Sequence, residues 1–531
     1  MKSNDVKQHI LRHYAAAVGL IGAVSCFVFY QFWYPYHFFY KEQNQLFLWT
    51  GDYLSTYFSK PAWLACLAGD FLTQFYYYLY AGAAILSVVL LFTGWVLYVA
   101  LRRAGVGRHW AFAIAAVVFA LEAVCHLRYD FRLSSTLALT GSALVFIAIR
   151  PLLGRRLWLS GAVLFAASIA TYWLFGYGLW VLQALALITV STQWPRHKSP
   201  LQYIVYAMPC WVGVLIMAFG PRLYLLETGK LMTYPGIGRL TAPNFALEYE
   251  LGIDSEYALG NLNRVIKRVE ANPQPTFNTL FYYNLVQAQR GLLPDVLLKY
   301  QPNNLGTFHQ IGPQTPMMTI KHMNELYWVL GDMTFTERAA LMASVFSPGN
   351  RNVRMMKRLA ECNLVSGDSA AARKYLGLLR HTLVYRQWAA NAPTTVAYAE
   401  KRRSLPQRDT ITTSDNAHFL MMQLLDANPQ NTIALDYILC STLLLKDIEN
   451  FKRDYDRYCT DTNQPRPKAL YQQALCIWLA GTNASTEEWQ RYIQSPETVR
   501  QFQQYSQQRG NPAFRDTYWY YFDRGIKPEI K

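Results

Sequence analysis

Seven apolar segments lie within the first 220 residues of this 531-residue chain, and they restrict its fold more than any other feature. They run approximately over 15–33, 75–101, 110–125, 134–149, 157–175, 177–192 and 204–219. Several approach the roughly 20 residues that a helix needs to cross about 30 Å of hydrocarbon. The third, fourth and sixth are short. The fifth and sixth are separated only by Phe175-Gly176-Tyr177-Gly178, which reads as a tight turn. The expected fold is therefore all-α: a polytopic bundle of about seven spans over 1–220, followed by a soluble domain over 221–531. The run that starts near Ala15 is too long for a signal-peptide core and lacks a small-residue cleavage site, so it reads as a retained first span.

Charge composition supports this division. Only 16% of the residues are charged, against about 25% in an ordinary soluble chain, and the deficit is concentrated before residue 221. The net charge of +16 raises the question of nucleic-acid binding. No basic-aromatic stripe or nucleic-acid motif accompanies it, and the basic residues near the apolar segments sit in short loops, where they act as topology signals.

Those loops orient the segments. Alternate connections carry Lys2, Lys7 and Arg12; Arg102, Arg103 and Arg108; Arg150, Arg155 and Arg156; and Arg196 and Lys198. The opposite connections carry only Lys41, Lys60, Arg128 and Arg132. The first set is expected in the cytoplasm. Seven spans then leave the C-terminal domain outside, in the periplasm of a bacterial inner-membrane protein. Aromatic clusters at 32–40 and 75–80 fit headgroup belts. The loop 34–74 between them is expected to lie on the membrane surface, with helical apolar spacing over 45–58 and 61–71.

The C-terminal part reads as paired helices separated by glycine stops and Asp or Ser starts, as at Gly331-Asp332 and Gly367-Asp368. No alternating strand pattern stands out. Ala271-Asn272-Pro273-Gln274 recurs as Ala427-Asn428-Pro429-Gln430. The stretch from Leu359 to Ala372, LAECNLVSGDSAAA, resembles part of a tetratricopeptide repeat, which implies a TPR-like α-solenoid of helical hairpins. The polar stretch 401–416 is expected to be a loop. Eight cysteines show neither zinc-site spacing nor a CxxC motif. They read as small buried residues, or, among Cys362, Cys440, Cys459 and Cys476, as disulfide partners, with Cys440–Cys459 the first choice.

There is no P-loop, GxSxG or HExxH signature, and Pro235-Gly236-Ile237-Gly238 reads as a turn. The polar residues of the outer connections carry the remaining chemistry. The acids Glu42, Asp52 and Asp70 are candidate catalytic groups, each able to act as a general base or hold a divalent metal. Arg128 and Arg132 suit a lipid-linked phosphate, because guanidinium groups bind it bidentately. Asp130, His126 and Glu122 complete the candidate substrate-binding set, Glu122 lying within an apolar segment where a carboxylate usually faces the bundle interior. Plainer alternatives stand beside these roles: solvated loop acids, an interfacial ion-pair cluster at Arg128, Asp130 and Arg132, and a structural hydrogen bond between Glu122 and His126.

Around these residues the layout resembles the GT-C superfamily of membrane glycosyltransferases. The resemblance covers roughly 1–220 and rests mainly on topology. It implies transfer of sugar from a polyprenyl-phosphate-linked donor, with Glu42 or Asp52 as the acid and Arg128 and Arg132 as phosphate contacts. In place of the acidic pair that many members carry after the first span, this chain has Glu42 followed by Asp52. The stretches from Glu42 to Phe47 and from Gly69 to Phe75 also look like an uncharacterised family of polytopic proteins with helical-repeat tails. Two functions are therefore expected. One is a glycosyl- or oligosaccharyltransferase whose helical-repeat domain positions a protein or glycan acceptor. The other is a non-catalytic membrane-anchored scaffold that recruits cell-envelope proteins.

Overall fold

The computed structural model describes residues 2–154, 156–193, 200–308, 314–405, 411–412, 414, 416–459 and 468–528, with the side chains of 2–16, Gln193 and Pro348 excluded. Arg155, Arg196 and Lys198, and much of the polar stretch 401–416, lie outside the described residues. The described residues are mostly helical, with no strand among them. The chain forms two compact units. The first comprises Met1–Tyr249 with Leu378–Gln387, and the second Glu250–Gly377 with Trp388–Lys531. The first unit thus runs past residue 220 and takes in ten residues from far downstream.

The first unit contains α1 (Lys2–Phe32), α2 (Tyr36–Gln43), α3 (Gly51–Phe58), α4 (Trp63–Thr73), α5 (Ala81–Arg103), α6 (Arg108–Cys125), α7 (Leu133–Ile149), α8 (Leu157–Phe175), α9 (Gly178–Gln193), α10 (Pro200–Tyr206), α11 (Met208–Tyr224) and α12 (Thr228–Leu231), and the start of α13 (Phe245–Ala258). By length and composition four of these are able to cross a membrane: α5, α6, α7 with the turn that follows it, and α8. Two bent pairs, α1 with α2 and α10 with α11, raise the number to six if each counts as one span. The expected seven exceeds this because the segment 177–192 forms α9, which has 16 residues and covers only about 24 Å at 1.5 Å per residue. The short third segment gains length in the structure: Arg108 and His109 form the first turn of α6, a position that tolerates polar residues.

The surface of these helices is inverted relative to a soluble bundle. On α6, Trp110, Ile114, Val117 and Leu121 form an exposed apolar stripe at helical spacing, Trp110 being 73% exposed, while Ala111 and Ala115 are buried. Such a pattern suits a lipid environment. Inside, several small hydroxyl residues bond one another and the backbone: Thr93 Oγ1 lies 2.6 Å from Thr140 Oγ1, Thr140 donates to the Thr136 carbonyl at 2.8 Å, and Ser168 donates to the Leu164 carbonyl at 2.6 Å. Helix α7 is central, packing against α4, α5, α8 and α9. Its Gly141 is required by space, since a Cβ there would sit 2.0 Å from the Phe175 ring.

The loop 34–74 is more structured than expected. Helix α2 bends 75° from α1, so it leaves the direction of the first span and lies outside it. Residues 45–50 are not helical, and α3 starts at Gly51 behind Thr50, whose side chain accepts from the Tyr53 N–H. Of the aromatic clusters expected at the headgroups, Phe32, Trp33, Tyr78 and Tyr80 are exposed, whereas Tyr34, Phe38, Phe39 and Tyr76 are core residues.

In the second unit, the helices Met317–Leu330 and Val353–Ser366 end on Gly331 and Gly367, both in the left-handed region, with φ of 91° and 88°. Asp332 and Asp368 start the following helices, accepting from Phe335 N–H and Ala371 N–H at 2.9 Å each. The recurring tetrapeptide forms the same local turn twice: Asn272 Oδ1 accepts from Gln274 N–H at 3.0 Å, and Asn428 Oδ1 from Gln430 N–H at 3.1 Å. The array differs from a solenoid, in which each repeat touches only its neighbours. The helix Thr432–Leu444 is buried at every residue from Ala434 to Leu444. It packs against Phe277–Gln289, Leu293–Val296 and Met317–Leu330 as well as its sequence neighbours. Lys401–Ser404, expected in a loop, complete the helix Val396–Ser404. All eight cysteines are free; Cys440 is buried against Tyr471, its Sγ 3.8 Å from the hydroxyl, and forms no disulfide with Cys459.

Candidate polar site at the loop end of the helix bundle

The predicted site residues separate into distinct groups. Glu42 sits on the last turn of α2 and is only 3% exposed. The Tyr385 hydroxyl lies 3.0 Å from Glu42 Oε1 and 3.1 Å from Oε2, and Gln43 Nε2 donates to Glu42 Oε2 and, at 2.8 Å, to the Tyr385 oxygen. Burial pushes the Glu42 carboxyl up to about 8, although both donors favour its charged form. Tyr77 packs edge-on against Tyr385. This carboxyl is enclosed, which distinguishes it from Asp52, exposed in the first turn of α3.

Asp70 occupies a third environment. It is half-buried on α4 and accepts a hydrogen bond from the Tyr57 hydroxyl at 2.8 Å, which in turn lies 2.9 Å from the Tyr53 hydroxyl. Helix α4 reaches the start of α7 because Gly69 has no side chain: a Cβ there would lie 2.6 Å from Ser134 N. This contact brings Asp70 into the neighbourhood of Arg132, the residue that opens α7. The two charges act on the same two groups, the Cys66 thiol and the Tyr234 phenol, with opposite sign. Burial pushes the Cys66 thiol up to about 12, Asp70 adding to the rise and Arg132 opposing it. Cys66 Sγ lies 4.0 Å from the Tyr234 hydroxyl. The Arg132 guanidinium is exposed. Here a half-buried carboxylate and an accessible cation share one small region.

The other predicted residues form local pairs. Thr136 Oγ1 donates to Glu122 Oε2 at 2.7 Å and lies 2.9 Å from His126 Nε2, so the hydroxyl bridges the Glu122 and His126 side chains, while the two residues bond directly only through the His126 N–H and the Glu122 carbonyl. Arg128 grips Asp130 through two bonds of 2.8 and 2.6 Å at the surface. No group of three or more His, Cys, Asp or Glu side chains able to hold a metal occurs among the described residues, so no divalent metal is assigned.

Sequence reasoning missed several participants. Glu248 on α13 accepts from Tyr36 N–H and, at 3.4 Å, from His37 N–H, placing a carboxylate at the N-terminal end of α2. His37 is 1% exposed and its Nδ1 lies 3.8 Å from Glu248; burial and the nearby Lys41 hold the ring neutral. Burial pushes Lys41 down to about 7, against the pull of Asp130 and Glu248. Tyr234 was hidden beside the turn Pro235-Gly236-Ile237-Gly238. That turn covers the end of α6, where a Cβ on Gly238 would sit 2.3 Å from Cys125 Sγ.

A family model matches the chain over residues 9–525, and its description is a family of unknown function. No curated protein and no solved structure matches.

Proposed function

The chain belongs to the DUF6057 family of unknown function, and we propose that it is a multi-pass membrane glycosyltransferase that takes sugar from a polyprenyl-phosphate-linked donor at the outer face of a bacterial inner membrane. The observation that carries this reading is the close approach of α4 to α7 at Gly69 and Ser134, which sets Asp70 and Arg132 near each other at the loop end of the bundle. Arg132 holds the donor phosphate, since an exposed guanidinium offers two parallel N–H donors. Asp70, kept in place by Tyr57, takes the proton from the acceptor hydroxyl as it attacks the sugar carbon. The leaving group is the polyprenyl phosphate, whose negative charge Arg132 stabilises. Loop charges support a cytoplasmic N-terminus. In this reading the second unit holds a protein or glycan acceptor at the periplasmic face.

Binding of undecaprenyl phosphate to the full-length protein in nanodiscs tests the phosphate assignment. Arg132→Gln is expected to weaken binding at least tenfold, whereas Arg128→Gln, which removes a side chain already paired with Asp130, changes it little. Equal binding by wild type and Arg132→Gln would overturn the assignment.

The enclosure of Glu42 favours a second reading, a non-catalytic scaffold in which the outer-loop acids hold structure and the second unit recruits envelope proteins. Under that reading the double variant Asp70→Asn, Arg132→Gln restores a deletion strain as fully as the wild type.

A further inference from the structure

A cavity of about 420 Å³ opens between α1, α5 and α6, well away from Asp70 and Arg132 in sequence and on other helices. Its wall is apolar except at one end, where Arg108 and Tyr98 stand. Three of its lining residues are glycines, Gly19, Gly22 and Gly94. Packing does not demand them: a Cβ would meet Leu91 at 3.4 Å, Phe119 at 3.5 Å and Phe119 at 3.9 Å, all ordinary contact distances. What the glycines do is keep the groove open. Its length also has a natural scale. From Arg108 to Phe119 along α6 is about 16 Å at 1.5 Å per residue, close to half of a hydrocarbon core about 30 Å thick. That is the depth of one leaflet.

We propose that this groove is a binding site for one anionic glycerophospholipid, with an acyl chain lying along Gly22 and Gly94 and the phosphate at Arg108. Charge complementarity selects the lipid: Arg108 stands at the polar end, and Arg102 and Arg103 of the same connection are exposed. An acidic headgroup meets the Arg108 guanidinium there, while Arg102 and Arg103, whose side chains donate to the Val106 and Ile147 carbonyls, add positive potential to the same connection. The exposed Trp95, at 60%, and Trp110 flank the site and are suited to the interface. The inference rests on these helices crossing a bilayer and is independent of the transfer chemistry.

The test uses the full-length protein in nanodiscs containing a phosphatidylglycerol with a diazirine in its acyl chain. Photolysis is expected to label peptides from 91–98 and 112–119 of the wild type in preference to other exposed apolar helices. Labelling spread evenly over α5, α6, α8 and α11 would overturn the site. Arg108→Gln is expected to lower labelling by phosphatidylglycerol several-fold towards the level given by a phosphatidylcholine probe with the same chain. Equal labelling of wild type and variant by phosphatidylglycerol would overturn the headgroup assignment. Gly22→Leu with Gly94→Leu fills the groove and removes the preferred labelling, while the paired alanine variant, which fits the available space, retains most of it. Crosslinking of Ala116→Cys to a second copy in place of lipid labelling would overturn the proposal in favour of a dimer interface.

Discussion

Tyr385 places its hydroxyl 3.0 Å from Glu42 Oε1, across 343 residues of sequence. The relationship ties residues 378–387 to the first unit, together with the Trp49 N–H bond to the His381 carbonyl at 2.8 Å. Tyr385→Phe removes a donor from a buried carboxyl. The expected loss is about 1–3 kcal/mol, measured as a lower melting temperature of the protein in detergent.

The pH dependence of that stability has a definite sign. In the folded protein Glu42 loses its proton only near pH 8, because burial disfavours the anion. In the unfolded chain it ionises near its ordinary value of about 4.3. Its stabilising contribution is therefore complete below the unfolded value and is lost as pH rises through 8. Glu42→Gln is expected to flatten the fall in melting temperature across this window. Unchanged slopes would show that another group sets them.

Close approach of α4 to α7 positions Asp70, and Gly69 permits it. Gly69→Val forces backbone apart rather than displacing a flexible side chain. Overpacking of this kind costs about 1–3 kcal/mol, and undecaprenyl phosphate binding is expected to fall with it. A variant that binds normally would separate Asp70 from the site.

In the second unit a buried ionic chain links three helices. Arg354 lies 2.7 Å from Asp254 and 3.0 Å from Glu325, and Arg358 reaches Glu325 at 2.5 Å. Burial alone would raise the Asp254 carboxyl, but Arg354 and Lys321 overcome it and hold it at about 2. Arg354→Met leaves two buried carboxylates short of a partner, at a cost of about 3–5 kcal/mol. The stabilising part of Asp254 exists above its unfolded value and is lost as pH falls towards 2, so the wild type and Arg354→Met are expected to converge in acid.

The exposed stripe on α6 predicts a dependence on lipid. Val117→Lys places a charge at the middle of that helix, with an insertion penalty of about 2.5–3.5 kcal/mol. The variant is expected to disappear from the membrane fraction. A monodisperse variant in aqueous buffer without detergent would contradict the membrane assignment.

Helix content, the glycine stops at 331 and 367 and the repeated Asn-Pro turn were legible because each depends on neighbours within a few residues. The partners of Glu42 and Asp70 were not. Tyr385 arrives from 343 residues away, and no local pattern marks Tyr385 or Tyr57 as the donor to a particular carboxylate. The span count was overestimated because apolar composition finds α9 but does not measure its helical length. The helix Thr432–Leu444 escaped notice as a core element because an all-round apolar helix has no polar face to orient it.

If Asp70 and Arg132 serve the proposed sugar transfer, loss of Asp70 leaves the polyprenyl-phosphate-linked donor unused. Mass spectrometry of lipid extracts from a deletion strain complemented with wild type or Asp70→Asn tests it most directly. A polyprenyl-phosphate-linked sugar is expected to accumulate in the deletion strain and with Asp70→Asn, and to be cleared by the wild type. Lipid extracts that are the same for all three strains would contradict it.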